Sequence, residues 1–460
     1  MQKSENQICA TQKQTLLSKT LACCSTCFKV IPAEIFEKNG KVFMLKECCS
    51  KEEVLIENDV DFYKKTHITN YNRNFLELST GRFEGRNLEG FLRNTSMILI
   101  TTTLKCNLNC PICLNTKYPS KVDHQTEVNL PLETIKKMLP KHKRKAVVLW
   151  GGEPTLREDL PEIIRAAKKN GNTVYLCTNG LKLLDREYCK RLKDAGVTSV
   201  ELQFDGFRDD IYMKLRGIPL LEKKMKILKN LKELKIRTNL LAVIAKNVNE
   251  DQIPLLIKFA AMNKDFIDSI LPIELYTGKI ENEDKIANSD MIKIIDGALG
   301  IPSELFLQSI RLYNNIGNFI LKIFGKRLSF TANSFLCTDT VYLRKTSEGF
   351  EPYFNIDWLN KTNEILEETK NKNKLSAIVQ IIRNMKHFFN KDFIRMASRV
   401  IVNGGDIFKA SAMINFPDIV KITPCNVKSP LNEDLQNSCY KEDVLEDPII
   451  TNTIGTAPQD

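Results

Sequence analysis

Three cysteines in the stretch CNLNCPIC, Cys106, Cys110 and Cys113, are the residues of this 460-residue chain best equipped for chemistry. They follow an apolar run in the pattern Cys-x3-Cys-x2-Cys. Thiolates so spaced on one short loop can hold three irons of a [4Fe–4S] cluster. No fourth cysteine lies near them, so one iron keeps a position open to an outside ligand. An open position on a soft, redox-active cluster makes a reagent, whereas a closed set of four thiolates is structural or passes electrons. A zinc knuckle can use similar spacing, so the loop needs company to be read as a reaction centre.

The company is regular. WGGEPTL (150–156) ends an apolar run, and its two glycines let backbone approach a ligand closely, while Glu153 offers an acceptor for an ammonium group. LCTNG (176–180) and LQFDG (202–206) end two further apolar runs. A lone Gly-Gly or Asn-Gly is only turn chemistry. Three polar strand ends in register with a cysteine loop on the first strand are a constellation.

These residues resemble the radical S-adenosylmethionine (SAM) superfamily: the cysteine loop, the GGEPT motif and a partial (βα)6 barrel. The resemblance implies that Cys106, Cys110 and Cys113 bind a [4Fe–4S] cluster whose open iron takes the amino and carboxylate groups of SAM. It implies that Gly151, Gly152 and Glu153 meet the SAM amino group, that Pro154 shapes their turn, and that Ile112 packs on adenine. Asn179, Gln203 and Asp205 are its ribose or methionine contacts. Reductive cleavage of SAM then yields a 5′-deoxyadenosyl radical that abstracts hydrogen from a substrate, with the electron drawn from a partner such as ferredoxin or flavodoxin. The N-terminal ribbon, CNLNCPIC, GGEPTLR-DLPEII, LQFDG and Y-KLRG (212–217) are similar to one subgroup, the archaeal tetraether lipid synthases and dihydropterin methyltransferase-like proteins.

Of 14 cysteines, five more lie in residues 23–49. Cys24-x2-Cys27 precedes an Asn39-Gly40 hairpin signal and Cys48-Cys49 follows it, the layout of a zinc-ribbon or rubredoxin-like knuckle. Cys24, Cys27, Cys48 and Cys49 are the candidate ligands for one iron or zinc, with Cys23 an alternative fourth, since adjacent cysteines do not readily reach one metal. Subgroup members carry auxiliary [4Fe–4S] clusters after the barrel. Here only Cys337, Cys425 and Cys439 follow, enough for one such cluster with an outside ligand, or for none. Cys177 and Cys189 read as core thiols, and none of the four histidines has metal-ligand spacing.

The elements that must position these residues are legible. Apolar runs at 97–104, 146–150, 172–177, 199–204, 237–245 and 270–276 alternate with helical patterns, the rhythm of an α/β fold with a parallel sheet. In such sheets the chemistry sits at the carboxyl ends of the strands. Three units follow: a Cys-rich ribbon in residues 1–90, with 1–22 read as a frayed tail, a radical SAM core in 91–280, and a mostly helical region in 281–460. In the last, helices are expected at 290–299, 304–324 and 376–400 around a strand-like piece at 341–356.

Composition narrows the class. With 43% hydrophobic and 27% charged residues the chain is globular, and no apolar run approaches the roughly 20 residues of a membrane span. The polar N-terminus lacks a secretory signal, which places the expected location in the cytoplasm, where clustered thiols read as metal ligands. The net charge of +11 is spread along the chain and reads as a solvated surface, with no nucleic acid expected. The basic, amphipathic stretch at 376–402 admits peripheral contact with the inner face of a membrane. Carbon–carbon bond formation on a lipid is the leading expectation, and methylation of a pterin or another small molecule the alternative; the open-iron loop and GGEPT argue against a non-enzymatic metal-ribbon protein that binds nucleic acid.

Overall fold

A computed structural model of the chain describes residues 14–23, 30–67, 97–113, 129–140, 145–275, 286–302, 304–325, 338–346, 350–352, 354–391 and 407–413. The N-terminal sheet is built from β1 (Thr15–Cys23), β2 (Val30–Lys38), β3 (Lys41–Glu47) and β4 (Lys51–Glu57), antiparallel and in chain order. Asn39 and Gly40 both have positive φ, 55° and 73°, the conformation that a tight two-residue hairpin turn requires. Because the sheet follows chain order, the end of β1 and the start of β2 lie at the same end of it as the Cys48-Cys49 turn between β3 and β4. The segment read as a frayed tail is therefore partly a strand: β1 pairs with β2 from Thr15 to Cys23.

The ribbon leads through α1 (Val60–His67) and is tied to the C-terminal half. Buried Glu57 accepts from the Ser289 hydroxyl at 2.5 Å, and Asn58 donates to Asp290 at 2.7 Å.

The core alternates strand and helix. β5 (Met97–Thr103), α2 (Leu132–Met138), β6 (Ala146–Gly151), α3 (Leu160–Lys169), β7 (Thr173–Thr178) and α4 (Arg186–Ala195) open it. β8 (Ser199–Gln203), α5 (Asp209–Arg216), α6 (Leu221–Glu233), β9 (Thr238–Ile244), α7 (Gln252–Met262) and β10 (Ile267–Glu274) complete it. Strands β5 to β10 are parallel and neighbour one another in order, the α/β arrangement of a partial (βα)6 barrel. Val147, Leu149, Val174, Leu176, Val200, Leu202, Leu240 and Ala242 alternate along the strands and pack against helix residues such as Ile163, Leu192, Ile227 and Ile257. One sheet face is thus sealed by helices, and the opposite face is free to carry a site.

Beyond β10 come α8 (Asn288–Leu299), α9 (Leu305–Phe324), β11 (Thr338–Lys345), β12 (Phe350–Pro352), α10 (Ile356–Glu368), α11 (Lys374–Arg383), α12 (Met385–Phe388) and β13 (Ile407–Met413). This region is helical as expected, but it also extends the sheet to nine strands: β13 runs parallel to β10 and antiparallel to β11. The helix expected at 376–400 is interrupted, with α11 giving way at Asn384 (φ −99°, ψ 15°), whose amide folds back to the Gln380 carbonyl at 2.9 Å. Residues 392–402 of that stretch lie outside the described residues. Among the described residues no helix is long and apolar enough to cross a membrane.

Candidate active site

The cysteine loop leaves the carboxyl end of β5 and is held from three sides. From β6, Gly152 N–H donates to Thr103 O and Glu153 N–H to Lys105 O, each at 2.8 Å. A side chain on Gly152 would meet Leu104 O at 2.5 Å and fall on top of Lys105 O, and Gly151 (φ 140°) lies against Thr103 O in the same way. The glycines expected to admit a ligand thus admit the backbone of the cysteine loop itself. Pro154 opens a short 3₁₀ turn, Pro154–Leu156, that carries the chain to Arg157. The buried Arg157 guanidinium donates to Thr102 O (2.6 Å) and Leu130 O (2.8 Å), and forks onto Asp159.

The third support is α5, from the Y-KLRG stretch. Tyr212 is fully buried, donates to Gly206 O at 2.9 Å and packs with Leu108 and Leu220. Ile112 is 5% exposed, packed among Ile211, Leu215, Ala245, Val248 and Leu275. Arg216 forks onto fully buried Asp205 at 2.7 and 2.8 Å, which sets its charge beside the Cys110 thiol. Val243 N–H at 3.1 Å completes the Asp205 carboxylate. Burial alone lowers the pKa of a guanidinium; the Asp205 charge more than offsets it, so Arg216 stays charged against the thiol loop.

Glu153 is fully buried, and its carboxylate is used inside the protein. It accepts from Thr155 N (3.0 Å), Thr155 Oγ1 (2.5 Å), Thr178 Oγ1 (2.6 Å) and Asn179 N (2.7 Å). Burial raises its pKa, and these four donors pull it back. Asn179 turns its amide to Asn107 (2.8 Å), with Cys106 Sγ at 4.0 Å. Gln203 hydrogen-bonds Asp205 through its amide nitrogen. Asn179, Gln203 and Asp205 are thus gathered beside the cysteine loop. Two residues that spacing did not single out join them. Arg216 belongs to the Y-KLRG stretch, whose spacing alone points to no chemistry. Lys224 on α6, fully buried, donates to Asn179 O, Gln203 O and Gln203 Oε1 at 2.6–2.7 Å. Burial brings the Lys224 pKa down to about 7, with Arg216 adding to the fall and Asp205 opposing it. No periodicity in EKKMK marks that lysine out.

The donor set fits an iron–sulfur cluster. Three thiols share one loop, and no disulfide joins them. Burial, then Glu153 and the other two cysteines, push Cys106 up to about 12. Thiols crowded on one loop beside a buried carboxylate favour their protonated form, and thiolate ligation to a cluster would offset that penalty. Among the described residues no group of His, Cys, Asp or Glu is drawn together as a single ion would need. In the ribbon, Cys48 and Cys49 are both exposed on their turn, while Cys24 and Cys27 lie outside the described residues, as do Cys337, Cys425 and Cys439. Cys189 is a core thiol, donating to Leu183 O at 3.2 Å.

Residues 100–260 match the family model described as the radical SAM superfamily. This stretch of the chain belongs to that superfamily. Residues 16–56 match a second model, the HMPTM N-terminal zinc ribbon domain. Among known proteins, the chain is 33% identical over 301 residues to 7,8-dihydro-6-hydroxymethylpterin dimethyltransferase of Methanocaldococcus jannaschii, covering 60% of this chain and 58% of that one. It is 27% identical over 272 residues to a GTP 3′,8-cyclase of Clostridium perfringens, covering 56% of this chain and 80% of that one. The chain thus spans less than two thirds of the length of the first relative. Among solved structures, SuiB of Streptococcus suis bound to its precursor peptide aligns at a TM-score of 0.37 and 15% identity, covering 62% of this chain and 69% of that one. The radical SAM family implies a [4Fe–4S] cluster and SAM, and the ribbon model implies a metal.

Proposed function

We propose that this protein is a radical SAM methyltransferase acting on a pterin or a closely similar heterocycle. The observation that carries the reading is the likeness to the pterin dimethyltransferase, which runs over 301 residues, well past the 100–260 span of the radical SAM domain, together with a ribbon in the same chain. Cys106, Cys110 and Cys113 would hold the cluster, with Arg216 set against Cys110 and Glu153 locking the Asn179 and Thr155 backbone around it. When bound, the cluster and SAM supply radical chemistry able to act on an unactivated carbon, with a one-electron donor such as ferredoxin or flavodoxin as partner. The chain's own task is to hold that loop rigid: the Gly152 and Glu153 amides, the Arg157 fork and α5 each fix one side of it.

A lipid is the second reading. It is favoured by Leu375, Ile382, Met385 and Phe389, which stand exposed on and beside α11 and α12, where an isoprenoid chain could rest. Anaerobic incubation of cluster-loaded protein with SAM, reductant and 7,8-dihydro-6-hydroxymethylpterin, followed by mass spectrometry, separates the two. A methylated pterin is expected; unmodified pterin, with coupled products from a dialkyl ether lipid offered in its place, would overturn the first reading.

A further inference from the structure

The register of the parallel sheet lines up one residue from each of six strands. Thr101 pairs with Trp150, and Trp150 and Cys177 directly follow the paired Leu149 and Leu176. Cys177 pairs with Glu201, Glu201 with Asn239, and Asn239 with Ser269. Their chain neighbours Ile100, Leu149, Leu176, Val200, Leu202 and Leu240 are packed under the helices, so this row lies on the opposite face. Each of the six brings a polar atom to that face.

The row is arranged rather than merely polar. Asn239 Nδ2 donates to Glu201 Oε1 at 2.6 Å and to Ser199 Oγ at 3.2 Å, which fixes the amide and leaves Oδ1 as an acceptor. Asn239 Oδ1 and the Trp150 indole N–H are both buried with no hydrogen-bond partner among the described residues. A buried polar group left unpaired is costly, so two of them in one row ask for a ligand that supplies an acceptor and a donor. The carboxylate of Glu201 stands between them in the row. A hydrocarbon chain would leave both orphans unpaired.

We propose that Trp150, Glu201 and Asn239 form the recognition surface for the edge of a planar nitrogen heterocycle, one that offers N–H groups to Glu201 and Asn239 and a ring nitrogen or carbonyl to the indole. A pterin, with its 2-amino group beside a ring N–H, has such an edge. This deepens the methyl-transfer reading above and rests on it for the substrate's class.

Equilibrium dialysis of the full-length, cluster-loaded protein against 6-hydroxymethylpterin, and against the matching lumazine in which an oxo group replaces the 2-amino group, measures recognition without turnover. The pterin is expected to bind about tenfold or more tighter than the lumazine, the loss expected for one or two hydrogen bonds. Glu201→Gln, Asn239→Leu and Trp150→Phe are each expected to weaken pterin binding about tenfold. Circular dichroism melts of the same samples identify any variant that has lost its fold, and Trp150→Phe, the mildest change, is the decisive one if the others have. Equal binding of pterin and lumazine, or unaltered affinity in the folded variants, overturns the proposal. The methyl-transfer reading is judged apart, on methylated product from the wild-type protein. Product formed while all folded variants keep full affinity sinks the row alone; pterin binding that depends on the row, without product, sinks methyl transfer and leaves the recognition surface standing.

Discussion

Replacing Gly152 with alanine tests whether the GGEP turn exists to seat the cysteine loop. The added Cβ would lie 2.5 Å from Leu104 O and 2.7 Å from Leu104 C, and closer still to Lys105 O, where real contacts of this kind do not fall under 3.0 Å. All of these atoms are backbone, so no side chain can swing aside. The 104–105 segment must retreat by about half an ångström or more, judged from those distances. Overpacking of this kind costs about 1–3 kcal/mol, and loss of either 2.8 Å amide bond, Gly152 to Thr103 or Glu153 to Lys105, adds about 1 kcal/mol. A total of about 2–4 kcal/mol corresponds to a fall in Tm of roughly 5–15 °C for a domain of this size. The retreat is transmitted to Cys106, the next residue along, so Gly152→Ala should also hold less iron after anaerobic reconstitution. Differential scanning calorimetry and iron content per chain are the assays. A variant with unaltered Tm and a full complement of iron would refute the reasoning, and would return the glycines to the role of admitting a ligand.

Further outcomes follow from the same geometry. Arg216→Ala strands the fully buried Asp205 carboxylate, which should cost about 3–5 kcal/mol in denaturant unfolding, and Arg216→Lys should recover only part because it cannot fork; equal stability of all three proteins would contradict this. Glu57, pushed up to about 7 by burial, and Asp296, pushed up to about 8 by burial, bind protons more tightly folded than unfolded. Stability should therefore be complete at acidic pH and fall as pH rises, by at most about 3 kcal/mol for Glu57 between its unfolded value and 7. Glu57→Gln and Asp296→Leu should flatten that slope in melts from pH 5 to 9, and a parent protein without the slope would contradict it. In the ribbon, adjacent Cys48 and Cys49 compete for one coordination position, so at most one of Cys48→Ser and Cys49→Ser should release the metal in a chelator titration. Release by both would overturn the adjacency argument.

Much of the site was legible in the sequence because its parts are local. The Cys-x3-Cys-x2-Cys loop, the Asn39-Gly40 turn and the six strand patterns each declare themselves within a few residues. Asn179, Gln203 and Asp205 were placed at strand ends by the same periodicity, and the fold brings them beside the loop. What the sequence concealed is long-range. Arg216 and Lys224 gain their meaning only when α5 and α6 press them beside Asp205 and Gln203. The recognition row is spread over strands from Thr101 to Ser269 and is visible only through register. Strand β13 is not legible in the sequence because its pattern is weak and its partners, β10 and β11, lie far off in the chain. The expected helix at 376–400 looked continuous because the apolar stripe crosses Asn384, whose side chain competes for the backbone.

The central claim is that Cys106, Cys110 and Cys113 carry a radical SAM centre. The most direct test is release of 5′-deoxyadenosine from SAM by anaerobically reconstituted protein under dithionite, compared with Cys106→Ala. Release by the parent protein, with iron and activity lost in the variant, is the result predicted. No 5′-deoxyadenosine from the parent, with the same iron content in Cys106→Ala, would contradict it.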